Sequence, residues 1–185
     1  MKMILHKNNP RKLFLPVYVL MLLVFTFGCG QEQQKKVILN EDSLKSGLVK
    51  ANKTLSAKED RDIEDYTQRH EWTMSKTGTG LRYQIYKKGA GAMPEDNDKV
   101  VISFVVSLIN GVECYNSKND GMKLFELGKA QVESGLEEGI KLMHTGDKAK
   151  LIIPSHLAFG FMGDEKKIPK RATLIYDVEL VEIKR

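Results

Sequence analysis

Val132-Glu-Ser-Gly-Leu-Glu-Glu-Gly-Ile-Lys-Leu-Met-His-Thr-Gly-Asp-Lys-Ala-Lys-Leu-Ile-Ile153 is the stretch that decides the fold. Val132, Leu136, Ile140 and Met143 recur at helical spacing, and Glu137 and Glu138 fall on the other side. The first half therefore reads as one short amphipathic helix. Thr145-Gly-Asp147 turns the chain, and Lys148-Ala-Lys-Leu-Ile-Ile153 reads as a strand. Downstream, residues 155–170 form a long loop with Gly160, Gly163 and Pro169, and the last strand alternates, with Leu174, Tyr176, Val178 and Leu180 on one face. Upstream, Leu81, Tyr83 and Ile85 alternate in a half-buried strand, which Gly89-Ala-Gly91 ends. The β-branched run over residues 100–108 leads into Asn110-Gly111, a strong hairpin signal. One short helix against about five antiparallel strands predicts an α+β domain over residues 76–185.

Residues 41–75 have a different pattern. Leu44, Leu48, Ala51 and Leu55 mark one apolar stripe, and Ser56-Ala-Lys-Glu59 fits a capping box that would open a second helix. Ile63 and Tyr66 lie on one face of that helix, with His70 and Trp72 at its end. The pattern predicts two short helices whose Leu48, Leu55, Ile63 and Tyr66 either dock on the following domain or pair two chains. Residues 31–37 lack apolar periodicity and read as a tether.

The chain has 185 residues, with 29 Lys+Arg against 24 Asp+Glu and a net charge of +5. Four of the basic residues, Lys2, Lys7, Arg11 and Lys12, precede Gly28, where no acid occurs. Subtracting those four from 29 leaves 25 basic against 24 acidic residues, a net of +1, which gives no reason to expect nucleic acid as a partner. The uncharged run Leu13-Phe-Leu-Pro-Val-Tyr-Val-Leu-Met-Leu-Leu-Val-Phe-Thr-Phe27 is shorter than the ~20 residues of a membrane-spanning helix. Basic start, short apolar run and a small residue make residues 1–28 a signal peptide. The following Cys29 resembles the lipidated cysteine of a bacterial lipobox, although Thr26 and Phe27 depart from its usual residues. An uncleaved anchor and an ordinary secreted protein are the alternatives. The favoured organisation is a signal peptide over 1–28, a lipidated tether over 29–40, a short helical segment over 41–75 and the α+β domain beyond.

Other chemistries are excluded by pattern. Gly78-Thr-Gly80 and Gly89-Ala-Gly91 lack the remainder of a dinucleotide fingerprint or P-loop. His6, His70, His144 and His156 have no metal-ligand spacing. Cys29 and Cys114 make no disulfide framework, and Cys114, in a β-like segment, reads as a packed thiol.

Leu127-Gly-Lys129, Gly135-Leu-Glu-Glu-Gly-Ile140, Gly146-Asp-Lys-Ala-Lys-Leu151, Ala158-Phe-Gly160 and Ile168-Pro-Lys-Arg-Ala-Thr-Leu-Ile-Tyr-Asp-Val-Glu-Leu180 occur in order. Together they resemble the FK506-binding-protein (FKBP) type of peptidyl-prolyl cis-trans isomerase from about Gly80 to the C terminus. Arg69-His-Glu-Trp72 and Thr77-Gly-Thr-Gly-Leu-Arg-Tyr83, behind a lipoprotein signal, are most similar to gliding-motility-associated lipoproteins of that type. The resemblance implies a curved antiparallel sheet around one helix and an apolar proline pocket that uses no cofactor or metal.

Carried over by position, Phe104, Phe125, Leu136, Phe159 and Tyr176 are the implied catalytic walls and floor. Tyr115, Asn116, Val132, Glu133 and Ile168 are the implied substrate-binding positions. Leu136 replaces a customary Trp, Phe159 a Tyr whose hydroxyl donates to ligands, and Glu133 an Ile whose backbone N–H does. The family's Phe-Asp pair corresponds to Tyr115-Asn116, with Cys114 as an apparent insertion, and Lys123 stands where another aromatic is expected. These departures remove a carboxylate and a hydroxyl and imply reduced or altered activity. The implied role is a lipid-anchored folding helper, periplasm-facing or on the outer membrane, acting on proline-containing envelope or secreted proteins. The alternative is a non-catalytic binding or chaperone module in a gliding-motility or secretion assembly.

Overall fold

Successive residues of a strand face opposite sides of a sheet, and in this chain both sides are apolar. The computed structural model describes residues 41–185; the readings of a signal peptide, a tether and an acylated Cys29 lie outside them. The elements are α1 (Glu41–Arg69), β1 (Ser75–Lys76), β2 (Arg82–Lys87), β3 (Lys99–Leu108), β4 (Glu113–Asn116), α2 (Ser117–Asp120), β5 (Lys123–Glu126), α3 (Ser134–Ile140), β6 (Lys148–Ile153), a 3₁₀ turn (Ser155–Leu157) and β7 (Leu174–Lys184). The seven described strands form one sheet in the order β1-β2-β6-β7-β3-β4, with β5 also paired to β3. All pairings are antiparallel.

The long strand β3 is paired with β7 along its whole length, from Lys99 opposite Lys184 to Leu108 opposite Leu174. Its other edge is shared. β5 covers Lys99 to Ile102 and β4 covers Val105 to Ser107. Between them the chain leaves the sheet as α2. The backbone N–H of Phe104, left without a strand partner at this gap, donates to the Ser117 hydroxyl at 3.0 Å. A buried N–H without such a partner would be costly, so the gap is held open rather than left raw.

On one face, Val100, Ile102, Phe104 and Val106 of β3, Leu151 and Ile153 of β6, and Leu174, Tyr176, Val178 and Leu180 of β7 join Leu136 and Ile140 of α3 in the main core. The alternation expected of β7 and of Leu81, Tyr83 and Ile85 is thus realised. Helix α3 is short, and two glycines let it lie directly on β6. A Cβ at position 135 would come within 2.4 Å of the Ile153 Cγ2, and one at 139 within 2.5 Å of the Leu151 Cδ1.

The opposite face carries a small second core of Ile63, Ile152 and Ile175, with Tyr66, Trp72, Met74 and Ile109 against it. Here the two short helices expected over residues 41–75 prove to be one helix of 29 residues. Ser56 lies in its middle and opens nothing. Glu59, the other half of the expected capping box, instead accepts from the Ser155 N–H at 2.7 Å, the Ser155 hydroxyl at 2.9 Å and the Thr173 hydroxyl at 2.7 Å. Those three bonds outweigh the local cap and leave no reason for a break. Next to it, Asp60 accepts from Arg82 at 2.8 Å and from Lys76 at 2.7 Å. Bonding to Lys76 and then Arg82 prevails over burial and holds the Asp60 carboxyl below its usual range. The expected docking residues divide accordingly: Ile63 is buried and Tyr66 half-buried, but Leu48 and Leu55 are exposed. Only the C-terminal part of α1 covers the sheet.

Two substitutions test these layers. Gly135→Ala should cost ~1–3 kcal/mol through overpacking against a β-branched neighbour that cannot swing away, read by urea unfolding. Ile63→Ala should cost ~2–5 kcal/mol and expose the amides of residues 59–67 to hydrogen exchange before those of β7.

Candidate functional site

The gap in the β3 edge opens into a cleft of about 400 Å³. Phe104 and Val106 reach it from β3 and Tyr176 from β7, because these three share the face that holds the main core. Phe159 comes from the chain after the 3₁₀ turn and Tyr115 from β4. Asp120, Gly121, Met122 and Lys123 rim it where the chain returns to β5, and Asp164 and Lys166 arrive from the loop before β7. Two other cavities of about 380 Å³ have no aromatic wall. The aromatic lining singles this cleft out, although Asp120, Lys123, Glu133, Asp164 and Lys166 make it more charged than the mostly apolar make-up usual for a ligand site.

Two phenol–carboxylate pairs organise the polar part. The Tyr176 hydroxyl donates to Glu133 Oε1 at 3.0 Å, and the Tyr176 ring lies 6.4 Å from that of Phe104 at 45°. Burial, and then the Glu133 charge, push the Tyr176 phenol well above its ordinary range. The Tyr115 hydroxyl donates to Asp164 Oδ2. That bond, more than burial, pushes the Tyr115 phenol up to about 12. Asp164 Oδ1 also accepts from the backbone N–H groups of Lys166 at 2.9 Å and Ile168 at 2.7 Å. Burial opposes ionisation of Asp164, but bonds from Tyr115 and these amides prevail and lower its carboxyl. Gly163 makes the turn possible: its φ is +71°, and a Cβ there would stand 2.3 Å from the Ile168 carbonyl oxygen.

Of the positions carried over from the sequence, the structure brings Phe104, Tyr115, Glu133, Phe159 and Tyr176 together around the cleft. Phe125, Leu136 and Ile168 are instead core residues, with Leu136 wholly buried. Phe125 and Leu136 back the cleft without lining it, since they fill the interval between α3 and the sheet. Val132 faces a separate cavity with Gly128, Ala130 and Lys141. Asn116 turns away from the cleft: its side chain accepts from the Lys118 N–H at 3.0 Å as the cap of α2, and donates to Glu113 at 3.2 Å. The expectation that the cleft had lost its carboxylate is therefore corrected. Asp164 supplies one from another loop. Its position in a Gly-Asp turn was a visible signal, but its pairing with Tyr115, 49 residues away, was not. Val106, Asp120 and Met122 were also missed.

A single sheet covered by one short helix, with an aromatic cleft at a break in its edge, defines a small α+β domain. Residues 91–181 match the family model of FKBP-type peptidyl-prolyl cis-trans isomerase, and the chain belongs to that family. It is 35% identical over 154 residues to the FKBP-type peptidyl-prolyl cis-trans isomerase FkpA of Escherichia coli K12, covering 78% of this chain and 56% of that protein. The FkpA of Aeromonas hydrophila is 34% identical over 170 residues, which cover 86% of this chain and 62% of that one. The chain thus spans less than two thirds of the length of these curated relatives. The crystal structure of FkpA from Escherichia coli matches with a TM-score of 0.58 and 30% identity, over 97% of this chain and 84% of that one.

Acidification tests the loop. A carboxyl lowered by folding adds stability that is complete above its unfolded value and is lost as pH falls through the folded one. The protection of residues 160–168 should therefore persist at pH 5 and fall away below the ordinary Asp value of 3.8. Asp164→Asn should show weakened protection already at pH 7, as read by hydrogen exchange.

Proposed function

We propose that this chain accelerates cis–trans rotation of Xaa-Pro bonds in proteins of the cell envelope. The observation that carries the reading is the convergence of Phe104, Val106, Phe159 and Tyr176 on one cleft beside a backbone gap. Rotation meets a barrier of ~18–20 kcal/mol because resonance gives the C–N bond double-bond character. Water bonded to the carbonyl favours the planar, charge-separated form. Walls of ring and methyl groups exclude that water and favour the twisted amide, whose dipole is smaller. The chain binds the twisted geometry more tightly than the planar one, and this difference lowers the barrier. No proton need move, which suits phenols whose ionisation is opposed by burial and Glu133 at Tyr176 and by Asp164 at Tyr115.

Phe159 lacks a hydroxyl, so the cleft orients a carbonyl less firmly. A lost hydrogen bond costs ~0.5–1.5 kcal/mol, and turnover is correspondingly weak. The rival reading, a holding module without turnover, is favoured by the charged Glu133 and Lys123 at the cleft. For location, we read Cys29 as the acylated first residue of a mature lipoprotein of the envelope. A part in gliding motility or secretion rests on the Arg69–Tyr83 motifs quoted above.

The deciding measurement is relaxation of proline tetrapeptides by the full chain in mild detergent, without a coupling protease. Catalysis shortens the uncatalysed relaxation of tens of seconds at low protein concentration; unchanged relaxation would leave the holding module. Phe159→Tyr should raise the rate several-fold, whereas Asn116→Asp, which faces away from the cleft, should not. Phe104→Ala should abolish the rate while costing ~3–5 kcal/mol of stability, so melting must accompany it. Separately, Cys29→Ala should move the protein to the soluble fraction and end fatty-acid labelling; retention at the membrane would indicate an uncleaved anchor.

A further inference from the structure

Glu133 immediately precedes α3, at φ −57° and ψ 135°, yet its side chain makes no capping bond to that helix. It turns into the cleft instead. Oε1 accepts from the Tyr176 hydroxyl at 3.0 Å. Oε2 is buried and accepts no hydrogen bond, and the side chain is only 5% exposed. The nearest cation, the Lys123 ammonium, stops 4.0 Å away, beyond hydrogen-bond reach. That same ammonium lies 5.8 Å from the centre of the Phe104 ring, so the space between Glu133 and Phe104 already accommodates a positive charge. Lys123 itself is 37% exposed and belongs to the rim. A buried carboxylate oxygen without a donor is an unstable arrangement. It gains most from a charged donor, because hydrogen bonds with both partners ionised are the strong ones.

We propose that Glu133 is a specificity-determining residue, whose free oxygen binds a Lys or Arg side chain adjacent to the substrate proline. The inference rests on the cleft being the proline site. The peptide's cation replaces the Lys123 ammonium over Phe104, and Lys123 swings out to solvent. Asp120 and Asp164 at the same cleft add negative charge on the peptide's approach, which Lys166 partly offsets. Peptides with an acidic residue beside the proline meet repulsion in a water-poor space, where charges are weakly screened.

The test uses the full chain and three peptides that differ only in the residue before proline: Arg, Leu or Glu. Both kcat/KM, by relaxation, and Kd, by fluorescence titration, are measured at 0.1 M and 0.5 M salt. The expected order is Arg above Leu above Glu, with Arg ahead of Leu about tenfold. That lead should survive 0.5 M salt, because a buried contact is screened far less than an exposed one. Glu133→Gln, which keeps an oxygen for Tyr176, should bring the Arg-to-Leu ratio near one, and Lys123→Ala should widen it. An equal ratio in the native chain overturns the proposal, as does a lead that vanishes with salt or persists in Glu133→Gln. If Glu133→Gln does not fold, a ratio unchanged in Lys123→Ala overturns it. Turnover without charge preference sinks this inference and leaves the isomerase. Glu133-dependent binding of the Arg peptide without turnover sinks the isomerase and leaves this inference. Neither binding nor turnover of any peptide overturns both.

Discussion

Most of this structure depends on how closely α3 can approach β6. A sheet with an apolar face must be covered, and the chain has only seven helical residues in α3 to do it. Gly135 and Gly139 remove the side chains that would otherwise hold that helix off Ile153 and Leu151. With the backbones this near, Leu136 and Ile140 fill the core. The residue that enters the helix, Glu133, is then delivered to the Tyr176 hydroxyl on β7. A helix seated farther out would leave a void in the core and move Glu133 away from the cleft. Packing density thus fixes the chemistry at the helix entrance.

The cleft itself is a consequence of edge pairing. β3 is longer than either strand that shares its outer edge, and the interval between β4 and β5 leaves one amide to be satisfied by a side chain. Ser117 does this for Phe104, so Phe104 can stay 8% exposed beside a backbone with no open donor. An aromatic cleft at a sheet edge would otherwise invite strand addition or collapse. Filling the interval with α2 blocks both. The same short insertion brings Asp120, Gly121 and Met122 to the rim.

How far this was legible in the sequence follows from the range of each signal. Period-two alternation is a local property, so the facing of Leu81, Tyr83, Ile85 and the four apolar residues of β7 could be read directly, as could the turn at Asn110-Gly111. There the Leu108 N–H donates to the Val112 carbonyl at 2.9 Å. The order of family motifs placed Phe104, Tyr115, Phe159 and Tyr176 correctly as neighbours. Phe125, Leu136 and Ile168, expected at the cleft, went to the core, and Leu48 and Leu55, expected to dock, stay exposed. The polar misreadings involve a side chain with two possible partners. Glu59 had a local cap available and took three donors from Ser155 and Thr173 instead. Asn116 had a place at the cleft and took the cap of α2. Asp164, to which the sequence pattern assigned no role, received the Tyr115 phenol. One sequence shows the local partner and hides the distant one, so such residues are where reading by pattern fails.

An apolar cleft that works by excluding water would ordinarily be poor company for carboxylates, since a charge without solvent must be paired. In this chain Glu133 and Asp164 each meet a phenol; burial and then the Glu133 charge raise that of Tyr176, and the bond to Asp164 raises that of Tyr115. The two pairs differ in what they leave over. Asp164 is saturated by Tyr115 and by backbone amides and serves to shape its loop. Glu133 has only the Tyr176 hydroxyl and a distant ammonium, so its second oxygen remains to be satisfied. In a pocket whose main work is desolvation, the incompletely paired group sets which occupant is preferred, because every other wall treats one apolar neighbour much like another. On the proposed reading, selectivity in this cleft resides in its least satisfied atom, while the aromatic walls supply the general affinity.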